Sequence, residues 1–326
     1  MRRLIVLTGL LAWLVAPAHA DGLKVVASIK PLHSLATAVM AGAGEPTLVV
    51  SGNASEHIYN LRPSEARAIA DADLVVWAGP SIESFLVRPL ASLRADQVLT
   101  LTDLPAMTRL PFRVGGPFEA HDHGHEGEHD DAHEHDDGHD HEHEDEHDHD
   151  HDHEGMFDGH VWLDPQNAIV IARTLAAALG EKDPGNAALY NANAAALIAR
   201  LKALDTALAS SLAPVETKPF IVFHDAYQYL EHRYGLDVVG SVTVSPDVPA
   251  SAKRVAALKA KIVDAGAVCI FSEPQFDPKL IMSLKEGTGV RAGVLDPLGA
   301  ALPEGPDQYF LLMQGLSDAL NACLNP

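Results

Sequence analysis

Histidine and acidic residues dominate one stretch of the sequence, HDHGHEGEHDDAHEHDDGHDHEHEDEHDHDHDHEG, at positions 121–155. Imidazole nitrogens and carboxylate oxygens both bind divalent metal ions. The stretch has too few apolar residues to offset the entropy lost on ordering, so we expect residues 117–155 to form a disordered loop that binds metal only weakly, as an accessory. Its ligands would be 13 of the chain's 19 histidines: His121, His123, His125, His129, His133, His135, His139, His141, His143, His147, His149, His151 and His153.

Three other histidines and one aspartate stand where an ordered metal site could form. His224 in FIVFHDAY and Asp296 in RAGVLDPLG directly follow apolar runs that predict strands. His57 follows another predicted strand, and His160 in FDGHVWLDP comes soon after the acidic stretch. Ligands of open α/β sheets bind beyond the carboxyl ends of the strands. Three imidazoles and one carboxylate are a typical zinc set, whereas manganese favours more oxygen ligands. Glu273 also follows a predicted strand, and we expect its role to be structural.

Short apolar runs alternate with helical patterns in both halves of the chain. Strands are predicted at 24–28, 47–50, 74–77 and 98–101, and again at 220–223, 237–244, 268–272 and 290–295. Helices are predicted at 31–41, 63–70, 81–93, 226–234, 250–265, 278–286 and 307–322, and one more begins near 165. Strands that alternate with helices indicate parallel βαβ units.

A long helical pattern lies between the halves, at 184–214. It is rich in alanine and leucine, and it carries one apolar stripe: Leu197, Leu201, Leu204 and Leu208. This pattern predicts a single helix ~40 Å long. We therefore expect an α/β fold in which two domains with four-stranded parallel sheets, at 21–183 and 214–326, are joined by one long helix at 184–213.

The amino terminus predicts export. Two arginines precede an apolar run at 4–16, and Ala-His-Ala at 18–20 suits a signal peptidase, so we expect residues 1–20 to be a cleaved signal peptide. In an oxidising compartment, a disulfide between Cys269 and Cys323 is favoured over two buried thiols. The formal charge of −22 is concentrated in the acidic stretch, since residues 119–154 carry −18 and the rest only −4. Nothing in this balance suggests nucleic-acid binding.

Several motifs also resemble a known family. SIKPLHSL, SEHIYNLRPSEARAIADADLVVWAGP, GHVWLDP, FHDAYQYLEHRYG, FSEPQF and VLDPLG look like the periplasmic zinc-binding proteins of high-affinity zinc ABC importers, the ZnuA type. The motifs occur in the family's order and span essentially the whole chain after residue 20. An acidic His-rich loop in the first domain is also common in that family.

The resemblance implies a metal-type ABC solute-binding protein whose metal-binding histidines are His57, His160 and His224. The fourth ligand in relatives corresponds to Asp296, to Glu56 or to water, and we favour Asp296. The cysteine pair resembles the disulfide of some zinc members. Zn²⁺ would be the transported ligand, and the partner would be the membrane permease of a zinc ABC importer with its cytoplasmic ATPase. We expect a periplasmic monomer that is not an enzyme.

Two other functions compete with zinc delivery. A zinc hydrolase would need an open position on the metal for water; outside the acidic His-rich stretch the chain has no H-E-x-x-H motif, and Glu56 is the only obvious nearby base. A zinc buffer or storage protein would use the His-rich stretch as its main binding site. The chain also lacks a phosphate-binding G-x-x-x-x-G-K-[ST] loop, so the transporter's ATPase would be another polypeptide.

Overall fold

A computed structural model describes residues 22–113, 157–243 and 252–326. The predicted signal peptide at 1–20 and the predicted disordered loop at 117–155 lie outside the described residues, as do the last position of the strand predicted at 237–244 and the first two of the helix predicted at 250–265. Within the described ranges, no helix combines the length and the apolar content that a membrane span requires.

The first half of the chain builds a four-stranded sheet. Its strands are β1 (Val25–Ala27), β2 (Thr47–Leu48), β3 (Leu74–Trp77) and β4 (Val98–Thr100), in the order β2-β1-β3-β4. All neighbouring pairs are parallel. β1 and β3 are buried along their whole length, which explains why their sequences are continuous apolar runs and not alternating patterns. The helices of this sheet are α1 (Lys30–Met40), α2 (Pro63–Ala70) and α3 (Ser84–Leu90).

The second half repeats this plan. Its strands are β5 (Phe220–Val222), β6 (Val238–Ser241), β7 (Cys269–Ser272) and β8 (Arg291–Val294), in the order β6-β5-β7-β8 and again all parallel. Its helices are α6 (Gln228–Tyr234), α7 (Ala252–Asp264), α8 (Lys279–Lys285) and α9 (Gln308–Leu324). We call the two sheets with their helices the first and second lobes. The predicted α/β class and the two parallel four-stranded sheets are confirmed.

Two helices lie between the lobes in sequence, α4 (Pro165–Lys182) and α5 (Ala187–Leu212). α5 has 26 residues, which gives ~39 Å at 1.5 Å per residue. The predicted leucine stripe is buried along it. α5 begins three residues later than predicted because the Asp183 carboxylate accepts hydrogen bonds from the Asn186 amide (2.6 Å) and the Tyr190 hydroxyl (2.9 Å), which stabilises a turn ahead of the helix.

The apolar core is continuous between the lobes. One cluster of buried side chains includes β1, β3, α1, α4, α5 and α9 together with one face of β5, which contributes Phe220 and Val222. Ile221 on the other face of β5, and Phe223 directly after the strand, belong to a smaller cluster of the second lobe. The predicted disulfide is confirmed: Cys269 in β7 is bonded to Cys323 in α9.

Polar contacts join the lobes as well. The Lys30 ammonium at the start of α1 donates to the Ala300 carbonyl oxygen at 2.5 Å. The Trp162 indole donates to the carbonyl oxygen of Pro297 at 2.8 Å, and the Tyr309 hydroxyl donates to the carbonyl oxygen of Trp162 at 2.8 Å. These three buried hydrogen bonds therefore tie the two lobes together.

Candidate metal site

His57, His160 and His224 converge in the cleft between the lobes. His57 lies in the loop after β2, where its backbone N–H donates to the Ser55 hydroxyl at 3.2 Å. His224 lies two residues beyond the end of β5. His160 begins a 3₁₀ turn at Val161–Leu163. Loops beyond the carboxyl ends of β2 and β5 therefore position His57 and His224, and the 3₁₀ turn positions His160.

Gly159 allows His160 to approach the first lobe closely. A Cβ atom at position 159 would lie 2.9 Å from both the Ser81 hydroxyl oxygen and an Ile82 side-chain carbon, in the loop that follows β3. A larger residue would require either the chain at position 159 or the Ser81 and Ile82 side chains to shift. The glycine in FDGHVWLDP therefore allows the chain just before His160 to pack closely against this loop.

Glu56 completes a group of four possible metal ligands. One atom from each of Glu56, His57, His160 and His224 lies within 4.8 Å of the others. The Nε2 atoms of His160 and His224 are 3.3 Å apart, and Glu56 Oε1 is 3.8 Å from the Nε2 atoms of His57 and His160. Two ligands ~2.0–2.1 Å from a tetrahedral zinc ion are about 3.3–3.4 Å apart. Small movements would therefore bring this group to zinc geometry.

Buried carboxylates orient two of the imidazoles. The Nδ1–H of His160 donates to Asp158 Oδ1 at 2.6 Å, and the same oxygen accepts from the His160 backbone N–H at 3.0 Å. The Nδ1–H of His224 donates to both Glu273 oxygens at 2.8 Å. A carboxylate can only accept, so each Nδ1 carries the proton and each Nε2 is directed at the group. Glu273 supports a ligand instead of joining the group. Asp158 was not predicted, although its position two residues before His160 is a usable signal.

Burial and neighbouring charges shift the pKa values of two groups in the cleft. Burial raises the pKa of Glu56 to about 7, although the nearby His224 opposes the rise. Burial disfavours the charged form of His224, but the Glu273 carboxylate outweighs it and the pKa of His224 rises to about 9. Without metal, His224 therefore holds a second proton, on Nε2, at neutral pH, and a metal ion must displace that proton to bind Nε2.

Asp296 lies outside this group of four. Its Oδ1 accepts hydrogen bonds from the Gln275 amide (3.0 Å) and the backbone N–H groups of Leu298 (3.1 Å) and Gly299 (3.0 Å), and its Oδ2 accepts from Ala300 N–H (2.6 Å). The carboxylate thus caps the turn after β8. Of the two side chains considered for the fourth ligand, only Glu56 lies with the three histidines.

The sequence matches a known protein family. The family model described as zinc-uptake complex component A, periplasmic (ZnuA), matches residues 25–323. A high-affinity zinc uptake system protein ZnuA from Brucella suis biovar 1 (strain 1330) is 53% identical over 305 residues, which cover 92% of this chain and 91% of the relative. The protein of that name from Paracoccus denitrificans (strain Pd 1222) is 43% identical over 322 residues, covering 98% and 97%.

A solved structure shows the same fold. The crystal structure of Zn(II)-bound AdcA from Streptococcus pneumoniae superposes with a TM-score of 0.68 at 26% identity, and the match covers 94% of this chain and 58% of that one. The family match spans nearly all of the chain after the first 24 residues, and the Brucella relative covers more than nine-tenths of it. The chain therefore belongs to the ZnuA family of periplasmic zinc-uptake components.

Proposed function

We propose that this protein is a periplasmic solute-binding protein that captures Zn²⁺ in the cleft between its lobes and delivers it to an ABC permease. The observation that carries the proposal is the convergence of three imidazoles and one carboxylate from both lobes, two of the imidazoles being oriented by buried carboxylates. Three nitrogen ligands favour zinc over manganese. The permease, with its cytoplasmic ATPase, would receive the ion, and the protein would work as a monomer.

Growth under zinc limitation tests the delivery function. Cells of the native host that lack the gene are expected to stop growing in medium treated with a zinc chelator, and added zinc or the intact gene should restore growth. A gene carrying His224→Ala should not. Rescue of the deletion by manganese instead of zinc would contradict the proposal, as would full rescue by the His224→Ala gene.

We also propose the predicted domain boundaries, at 21–183, 184–213 and 214–326, because each lobe has its own parallel sheet and α5 lies between them. The predicted signal peptide at 1–20 agrees with a periplasmic location. Zinc is cargo in this proposal, and no catalytic residue is assigned.

Glu56 is the fourth ligand in our proposal, in place of the aspartate that the sequence favoured. Its side chain is buried within the group of four, and Oε1 has no hydrogen-bond partner among the described residues. Asp296 already accepts four hydrogen bonds, and it could bind zinc only by giving up part of its turn cap.

Matched neutral substitutions distinguish the two carboxylates. Glu56→Gln removes an anionic ligand and should weaken zinc binding by roughly 10- to 100-fold, the size of effect seen when groups that support a metal site are lost. Asp296→Asn should leave zinc affinity near that of the parent while lowering the melting temperature, because it disturbs the turn cap. Chelator competition and thermal unfolding measure the two effects. Weak binding by Asp296→Asn alongside unchanged binding by Glu56→Gln would contradict this assignment.

The storage alternative is tested by counting zinc ions. A variant lacking residues 117–154 is expected to bind one Zn²⁺ tightly, whereas the chain with that segment should bind at least one more, and more weakly, as the low apolar content of the segment predicts. The extra binding should fade between about pH 7.5 and 5.5 as imidazoles near pKa ~6.5 take up protons. Calorimetric titration of both proteins measures the stoichiometry. Loss of the tight site on deletion would favour storage.

A further inference from the structure

A second set of contacts joins the lobes beside the candidate metal site. The Tyr229 hydroxyl of α6 donates to the carbonyl oxygen of Asp158 at 2.7 Å and accepts from the backbone N–H of Leu110 at 3.1 Å. The Gln228 amide donates to the carbonyl oxygen of Pro111 at 3.1 Å. The start of α6 therefore contacts two segments of the first lobe, at 110–111 and at 158. An antiparallel bridge between Pro111 and Phe157 joins these segments to each other.

Arg113 extends these contacts with charge. Its Nε donates to Asp225 Oδ2 at 3.0 Å, its Nη2 donates to Asp225 Oδ1, and its Nη1 donates to Glu231 Oε2 at 2.6 Å. The side chains of Arg113, Asp225 and Glu231 are only 19%, 11% and 22% exposed. A two-pronged, largely buried guanidinium–carboxylate pair fixes geometry far better than a solvated ion pair does. We call Arg113, Asp225, Glu231 and Tyr229 the interlobe clamp.

The interlobe clamp contacts the chain next to two of the proposed ligands, His224 and His160. Asp225 directly follows His224, and the backbone carbonyl of His224 accepts from Ala226 N–H at 2.9 Å in the same turn. Asp158, whose carbonyl oxygen is held by Tyr229, orients His160 with its carboxylate. The clamp therefore ties the backbone at His224 to the first lobe, which carries the other two histidines.

We propose that Arg113 is a positioning residue for zinc: by holding Asp225 against the first lobe, it keeps His224 at coordinating distance from His160. The inference rests on the proposed zinc site. Removing the guanidinium would leave two mostly buried carboxylates, Asp225 and Glu231, without their shared counter-charge. The turn that carries His224 would then move to hydrate them, and His224 would bind the ion less well.

Arg113→Gln tests the positioning role in the chain from Asp21 onwards with residues 114–156 in place. We expect zinc affinity in chelator competition to fall about tenfold, mainly through faster release, since loss of an outer partner of a metal site costs ~10–100-fold. One equivalent of Co²⁺ should show a changed visible spectrum, because its ligand geometry changes. Arg113→Lys should recover only part of the affinity, as an ammonium cannot pair with both carboxylates in a fork.

Arg233→Gln is the matched control. Arg233 also lies on α6 and forms a two-pronged pair, but with Asp205 of α5. This variant should lose thermal stability yet keep the parent's zinc affinity and Co²⁺ spectrum. Equal affinity losses in both variants would reduce Arg113 to general stability and overturn the proposal, as would an unchanged affinity in Arg113→Gln.

A double variant tests the path through Asp225. If Arg113 acts on His224 through this carboxylate, Asp225→Asn should weaken zinc binding on its own, and adding Arg113→Gln should cost less than it does in the parent. Additive losses would overturn the path. If His224→Ala bound zinc as tightly as the parent, the proposed zinc site itself would be contradicted. Failure of the zinc site and failure of the Arg113 proposal are therefore distinguishable.

Discussion

Replacing His224 with alanine is expected to weaken zinc binding by roughly 1000-fold, about 4 kcal/mol, in the variant lacking residues 117–154. The change removes a neutral nitrogen ligand from a buried group, and it also leaves the Glu273 carboxylate without the imidazole that it orients. Loss of an outer partner alone costs ~10–100-fold in affinity, and loss of the ligand should cost more. Competition with a chelator of known affinity measures the change.

His232→Ala is the matched control for this result. His232 lies on α6, eight residues from His224, and its side chain is exposed. It should bind zinc as the parent does. Equal affinities for His224→Ala and the parent would show that the tight site is elsewhere.

Zinc affinity should also depend strongly on pH. His224 has a pKa of about 9 in the metal-free cleft, so below that pH one proton must leave Nε2 for each ion bound. Protons compete with zinc, so affinity falls as pH falls, about tenfold between pH 8 and pH 7. Below pH 7, Glu56 also takes up a proton because its pKa is about 7, and the fall should steepen. Calorimetry in buffers of different protonation enthalpy should count about one proton released at pH 7.5.

Glu273→Gln provides the control for the pH effect. It removes the carboxylate that raises the pKa of His224, so the affinity curve above pH 7 should flatten while overall affinity drops. An unchanged slope in this variant would contradict the assignment of the displaced proton to His224. An affinity independent of pH in the parent would contradict it as well.

Strand positions were predictable because they depend on local patterns. Continuous apolar runs mark strands that are buried on both faces, and β3 has the predicted bounds. β2 spans only Thr47–Leu48, yet Val49 N–H still donates to the Ala27 carbonyl oxygen at 3.0 Å. Val50 N–H likewise donates to the Ser28 carbonyl oxygen at 2.8 Å, so backbone pairing extends to position 50, where the predicted strand ends.

The histidines were predictable, whereas the contacts around them depend on tertiary structure. His57 and His224 follow strands, and the strand-end rule places them at the same cleft. The same rule could not rank Glu56 against Asp296, because a turn cap formed by backbone N–H groups of 298–300 removes Asp296 from the group. The pairing of Arg113 with Asp225 spans 112 residues and has no local signal at all.

Anomalous diffraction at the zinc edge, from crystals of the variant lacking 117–154 with one equivalent of Zn²⁺, tests the central claim most directly. One dominant peak is expected in the cleft, ~2.0–2.1 Å from the Nε2 atoms of His57, His160 and His224 and at a similar distance from a Glu56 oxygen. A dominant peak away from these three imidazoles would contradict the account.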